Sequence, residues 1–161
     1  IGFIGSICST KAKQVTIYEA NPKLIPIINH NCKLNGKNFS VYNYAVVNNS
    51  DKRQIKFYIG EHFWNASIVK TNGFKETIVP TISMNEIVSN LNPSFLIIDV
   101  EGYEVELLKK YSFPNSIKKI LIEFHPKKVS ENEIKDLKDN IIENNFKLVA
   151  KNLESELFKR D

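Results

Sequence analysis

Residues 95–100 read Phe-Leu-Ile-Ile-Asp-Val, four apolar positions in a row that run into a carboxylate. A half-exposed strand alternates apolar and polar residues, so an unbroken run suits a parallel strand covered on both faces. Parallel neighbours cannot be joined by a tight turn; they need a crossover of a dozen or more residues, most often a helix. A second run, IKKILIEFHP at 117–126, repeats the constraint. The chain is therefore expected to alternate strand and helix.

The rest of the sequence fits that alternation. A strand is predicted to end at Glu19, with Asn21 capping a helix that carries Pro22 in its first turn and stops near Asn35, before Gly36. Leu24, Ile28 and Cys32 share one face of that helix. Residues 39–47 read as one further strand, and 53–60 as a half-exposed strand with Ile55, Phe57 and Ile59 on one side. Residues 67–70 and 75–83 continue in extended form. Two S-x-x-E capping boxes, Ser83 with Glu86 and Ser130 with Glu133, open helices reaching about Leu91 and Asn144. A helical segment at 104–111 separates the two apolar runs. The last two strands are split by a tight turn near residues 152–154 and must be antiparallel. The expected fold is α/β: a mostly parallel sheet with helices on both faces and an antiparallel C-terminal strand pair.

Composition narrows the function. A chain of 161 residues suffices for one domain with a proper core, and no linker or repeat divides it, so a single domain over 1–161 is expected. The net charge of +4 comes from scattered Lys rather than a clustered basic face, which argues against nucleic acid. No apolar run approaches the roughly 20 residues of a membrane-spanning helix. Cys8 and Cys32 lack metal-ligand spacing and read as reduced thiols on helices, which points to a reducing, cytoplasmic setting.

Three predicted strands end in acids: Glu19, Asp99 and Glu123. Ligands of open α/β sheets bind beyond the carboxyl ends of the strands, so these carboxylates are expected where a ligand sits. A carboxylate ending an early strand just before a helix is placed to accept hydrogen bonds from ribose hydroxyls. Ahead of it, Gly2 and Gly5 lie in a turn leading into a helix, where glycine admits close backbone approach. Asp99, Glu101 and Glu104 crowd around Gly102, and such a cluster suits a positively charged partner.

The segments YEANP, LNG, AVVNNSDKRQIKFYIG, WNASI, VPTISMNEIV, IIDVEGYEVELL and IEFHP, in this order and spacing, resemble the FkbM family of S-adenosylmethionine-dependent methyltransferases. Ala20 stands where that family usually has proline. The resemblance implies a class I methyltransferase-like fold and S-adenosylmethionine as cofactor. It implies that Glu19, with Ala20 and Asn21, holds the ribose, that Gly2 and Phe3 pass the methionine portion, and that Tyr44 and Ala45 flank the adenine. Asp99 would lie near the methionine amino group or the acceptor, with Glu101 on the same rim. The implied reaction is O-methylation of a hydroxyl on a sugar, glycan or secondary metabolite, with His125 and Glu101 as candidate bases. His62 and Trp64 belong to a loop placed to close over the acceptor. The family's first strand and leading glycine have no counterpart before Gly2, so an N-terminally truncated domain is expected. Another segment, or a second copy of the chain in a homo-oligomer, would fill the slot left in the sheet.

Three rivals share some of these features. A nicotinamide-dependent oxidoreductase also uses a glycine turn, strand and acid, but gives no reason for DVEGYE. A binding module would keep the fold and lack the chemistry. A metal-dependent methyltransferase would use Asp99 and Glu101 as oxygen ligands. No third ligand is evident from the sequence, so a metal-free site is expected.

Overall fold

The computed structural model describes residues 2–48, 51–61, 66–68 and 72–161. The chain divides into two compact units, one up to Ile82 and one over Ser83–Asp161.

In the first unit a short helix, α1 (Phe3–Cys8), precedes strand β1 (Thr16–Tyr18). Gly5 of α1 lies against β1 so closely that a Cβ there would stand 2.6 Å from Ile17 Cδ1. Helix α2 (Ile25–Leu34) begins later than the sequence suggests. Asn21 builds a turn ahead of it, its Oδ1 accepting from the Lys23 N–H (3.1 Å) and its carbonyl from the Leu24 N–H (3.0 Å). The proline in the first turn of α2 is thus Pro26, not Pro22. The stop is as expected. Gly36 has φ +59°, and Gly36 and Lys37 donate to the carbonyls of Lys33 and Cys32, a Schellman closure. Leu24, Ile28 and Cys32 are buried with Phe39 against Val15, Ile17 and Val41.

Residues 39–47 do not form one strand. β2 (Ser40–Tyr42) pairs parallel with β1, whereas β3 (Ala45–Val47) joins a different sheet. The break falls at Asn43, whose Nδ2 donates to the carbonyls of Glu19 (2.8 Å) and Ala20 (3.0 Å) and bends the chain towards the end of β1. The second sheet runs β3-β6-β4-β5, with β4 (Gln54–Ile59), β5 (Ala66–Ser67) and β6 (Lys75–Ser83). β4 pairs antiparallel with both β5 and β6. Phe57, Tyr58 and Ile59 are all buried, so the alternation expected along β4 is lost at its end.

The second unit holds α3 (Met84–Leu91), β7 (Phe95–Ile98), α4 (Glu104–Leu108), β8 (Lys119–Glu123), α5 (Glu131–Glu143), β9 (Lys147–Asn152) and β10 (Ser155–Lys159). Both capping boxes form: Ser83 and Ser130 accept from the Glu86 and Glu133 N–H groups, and the glutamates bond back. The sheet order is β7-β8-β10-β9. β7 and β8 are parallel, and β10 is antiparallel to both β8 and β9. Ile120 and Ile122 of β8, Leu137 and Ile141 of α5, and Phe146 and Phe158 are almost wholly buried. Arg160 locks the far end, its guanidinium donating to the carbonyls of Phe113, Pro114, Ile117 and Asn144.

Parallel pairing is thus present at β1–β2, which form a two-stranded sheet of their own, and at β7–β8, within a sheet that is mixed overall. β7 is not covered on both faces. Ile98 is buried, but Phe95 and Ile97 on the opposite side are exposed (40% and 37%). Among the described residues β7 is also an edge strand, with β8 as its one strand neighbour, so it lacks the central, doubly covered position that an unbroken apolar run suits. Among the described residues no helix is long and apolar enough to cross a membrane.

Candidate functional site

Parallel pairing of β7 and β8 places Ile98 opposite Ile122. Asp99, just past β7, and Glu123, the last residue of β8, therefore stand side by side at the sheet's carboxyl edge, as the strand-end acids predicted for this half. After Asp99 the chain turns sharply through Glu101 (φ +54°) and Gly102 (φ +101°) into α4. Glycine is required there. A Cβ on Gly102 would stand 2.8 Å from Lys128 Cβ, and its φ is unfavourable for any L side chain.

Glu104 organises this turn. It is 1% exposed, and its Oε1 accepts from the Gly102 N–H (3.0 Å), the Val100 N–H (3.4 Å) and His125 Nδ1 (2.8 Å). A carboxylate oxygen can only accept, so Nδ1 carries the proton and Nε2 presents its lone pair when the ring is neutral. Nε2 faces two carboxylates, Asp99 Oδ1 at 3.8 Å and Glu101 Oε2 at 3.6 Å. Both separations exceed hydrogen-bonding distance. The His125 side chain is 12% exposed, while Asp99 and Glu101 open to solvent at 48% and 37%. Lys128 Nζ reaches Glu101 Oε2 at 2.7 Å. Lys128 and Val129 also donate their N–H groups to the His125 carbonyl, which fixes the loop after β8. Burial raises the Asp99 carboxyl above the ordinary aspartate range. The charges of Glu123 and Glu101 raise it further, and His125 opposes them.

The sequence singled out Asp99, Glu101 and His125, and the fold brings these three together. Their donor atoms all lie within 4.8 Å of one another. Sequence reading missed the roles of Glu104 and Lys128. Glu104 left one clue: it precedes Leu107 and Leu108 by three and four positions, so it shares their buried helix face.

In the first unit, Glu19 follows β1 and its N–H continues the ladder to the Tyr42 carbonyl. Its Oε1 accepts from the Asn21 N–H at 2.7 Å, which holds the carboxylate at the strand end. Asn21 is 2% exposed, and Ala45, which opens β3, is equally buried. Tyr44 lies edge-on to Tyr18, which stacks on Tyr42. Glu19, Ala20, Asn21 and the 43–45 turn are thus tied together through Asn43. Gly2 (φ +76°) lies against Ile28 of α2. Gly2 and Phe3 line an open cleft of about 460 Å³ with Asn31, Asn35 and Lys37, a lining that does not include Glu19. His30 is exposed on α2. His62 and Trp64 lie outside the described residues.

These observations define an α/β protein with acids and a histidine at strand ends. The family model described as "Methyltransferase FkbM domain" matches residues 7–156, nearly the whole chain. The chain belongs to the FkbM methyltransferase family. A search of the curated proteins and one of the solved structures each returned no significant match.

Proposed function

We infer that the protein is an S-adenosylmethionine-dependent O-methyltransferase acting on a hydroxyl of a sugar, glycan or secondary metabolite. The observation that carries this reading, beside the family, is Glu19: a strand-end carboxylate oriented by the Asn21 N–H, on a turn clamped by Asn43. That arrangement fits a ribose diol, which offers two donors to one carboxylate. Tyr44 and Ala45, on the adjoining turn, suit the flat face of an adenine. Gly2 and Phe3 are assigned to the methionine portion. When bound, S-adenosylmethionine supplies a methyl group on a positively charged sulfur.

The chain's own residues have two tasks. Glu19 with Ala20 and Asn21 holds the ribose. Asp99, Glu101 and His125 form the rim that receives the acceptor hydroxyl, a weak nucleophile that must lose its proton as its new bond forms. Glu104 is a positioning residue, because it aims the His125 ring without facing the acceptor.

Calorimetric titration with S-adenosylmethionine tests the first task. Glu19→Ala is expected to weaken binding at least tenfold, and His125→Ala to leave it unchanged while abolishing methyl transfer to a hydroxyl acceptor. Unchanged affinity in Glu19→Ala would overturn the ribose assignment. Tight binding of a nicotinamide dinucleotide in place of S-adenosylmethionine would overturn the cofactor.

A further inference from the structure

We propose that Asp99, Glu101 and His125 bind a divalent cation, which holds the acceptor oxygen on the rim. The inference rests on the reading of this rim as the acceptor site and specifies how the rim acts. Three donors of suitable type converge: one oxygen from each carboxylate and Nε2 of the imidazole. The separations of 3.8 Å and 3.6 Å from Nε2 are too long for hydrogen bonds. They are close to those of donors sharing one ion. At about 2.1 Å from a metal, ligands at right angles are roughly 3.0 Å apart and opposed ligands roughly 4.2 Å. The three donors lie within 4.8 Å of one another, so a contraction of roughly 0.6–0.8 Å brings them to the spacings of one ion's ligands.

Two further features support a ligand there. Among the described residues no hydrogen-bond partner reaches Nε2, although the side chain is only 12% exposed and its ring is aimed at the two carboxylates. The other nitrogen is fixed by Glu104, which is buried and lies outside the donor set. A histidine that binds metal through one nitrogen ordinarily has its other N–H held in this way. Lys128 is the competing occupant: its ammonium contacts Glu101 but, among the described contacts, neither Asp99 nor Nε2. Two carboxylates and one imidazole suit manganese or another first-row divalent ion, and three protein ligands leave positions open for an acceptor oxygen. In this arrangement His125 is a ligand, and a hydroxyl held on the ion would have its pKa lowered enough to release its proton to solvent as the methyl group arrives.

The test is titration with Mn2+, read by loss of the free-ion electron paramagnetic resonance signal, with S-adenosylmethionine affinity measured on the same samples. One saturable site per chain is expected. Glu101→Gln and His125→Ala should each weaken it at least tenfold. Lys128→Met should strengthen it several-fold, because the competing ammonium is gone. No saturable binding at millimolar Mn2+, or equal binding by wild type and Glu101→Gln, overturns the proposal. If S-adenosylmethionine still binds in that case, the methyltransferase reading stands and only the cation is lost.

Discussion

Glu104→Ala probes the support of the site most directly. In the native chain Glu104 Oε1 is the acceptor for Gly102 N–H at 3.0 Å, His125 Nδ1–H at 2.8 Å and, more weakly, Val100 N–H at 3.4 Å. Alanine removes the acceptor and leaves the donors behind. A buried donor deprived of its partner costs about 1–3 kcal/mol. Two well-made bonds give about 2–6 kcal/mol. Gly102 and His125 are only partly buried, so water reaches them in part and the lower half of that range applies, about 3 kcal/mol. For a chain of this size that is a fall of roughly 6–12 °C in Tm. Glu104→Gln keeps the shape and an acceptor oxygen. It loses only the extra strength of a charged acceptor, about 1 kcal/mol. Urea unfolding of the three proteins gives the two differences, and nitrogen NMR of the His125 ring reports which nitrogen carries the proton. If Glu104→Ala costs no more than Glu104→Gln, the acceptor role assigned to Oε1 is wrong.

Gly102→Ala should cost about 2–3 kcal/mol in the same assay, since φ +101° strains any Cβ and Lys128 Cβ blocks it at 2.8 Å; Lys128→Gly in the same chain should recover the contact but not the strain. Glu156 is 3% exposed and its Oε1 accepts from both Lys138 (2.7 Å) and Lys151 (2.9 Å). Burial pushes its carboxyl up, but the hydrogen bonds and charges of the two lysines together outweigh burial and leave it below the ordinary value of 4.5. A lowered carboxyl stabilises the fold above its unfolded pKa and loses that contribution as pH falls through the folded value. The stability of wild type relative to Glu156→Gln should therefore be largest near neutrality and shrink below about pH 4.5, as denaturation at several pH values would show. Arg160→Lys cannot serve four carbonyls with one ammonium and should cost about 2–4 kcal/mol; a loss under 0.5 kcal/mol would show that the guanidinium bonds contribute nothing net.

Features that depend on a few neighbouring residues were legible in the sequence. Ser83 with Glu86 and Ser130 with Glu133 start helices because each box closes within one turn, whatever lies elsewhere. Gly36 ends α2 for the same kind of reason, since the closing bonds reach back only to Cys32 and Lys33. The face made by Leu24, Ile28 and Cys32 follows from helical period alone. The closing pair, β9 and β10, was antiparallel by necessity once its turn was short.

What the sequence could not settle depends on partners far along the chain. Residues 39–47 have the composition of one strand, yet Asn43 bonds to carbonyls 23 and 24 positions away and splits it in two. The run at 95–98 reads as covered on both faces, but coverage depends on what the rest of the chain packs over each face, and Phe95 and Ile97 stay exposed. Asp99, Glu101 and His125 were each visible as candidates. Their meeting was decided by the register that sets Ile98 against Ile122, and by a buried carboxylate that turns a ring 21 residues away. Local sequence sets the shape of a turn or a helix end through bonds a few residues long. Which side chains meet at a site depends on strand pairing, and pairing energy is shared among residues too distant for any local pattern to record.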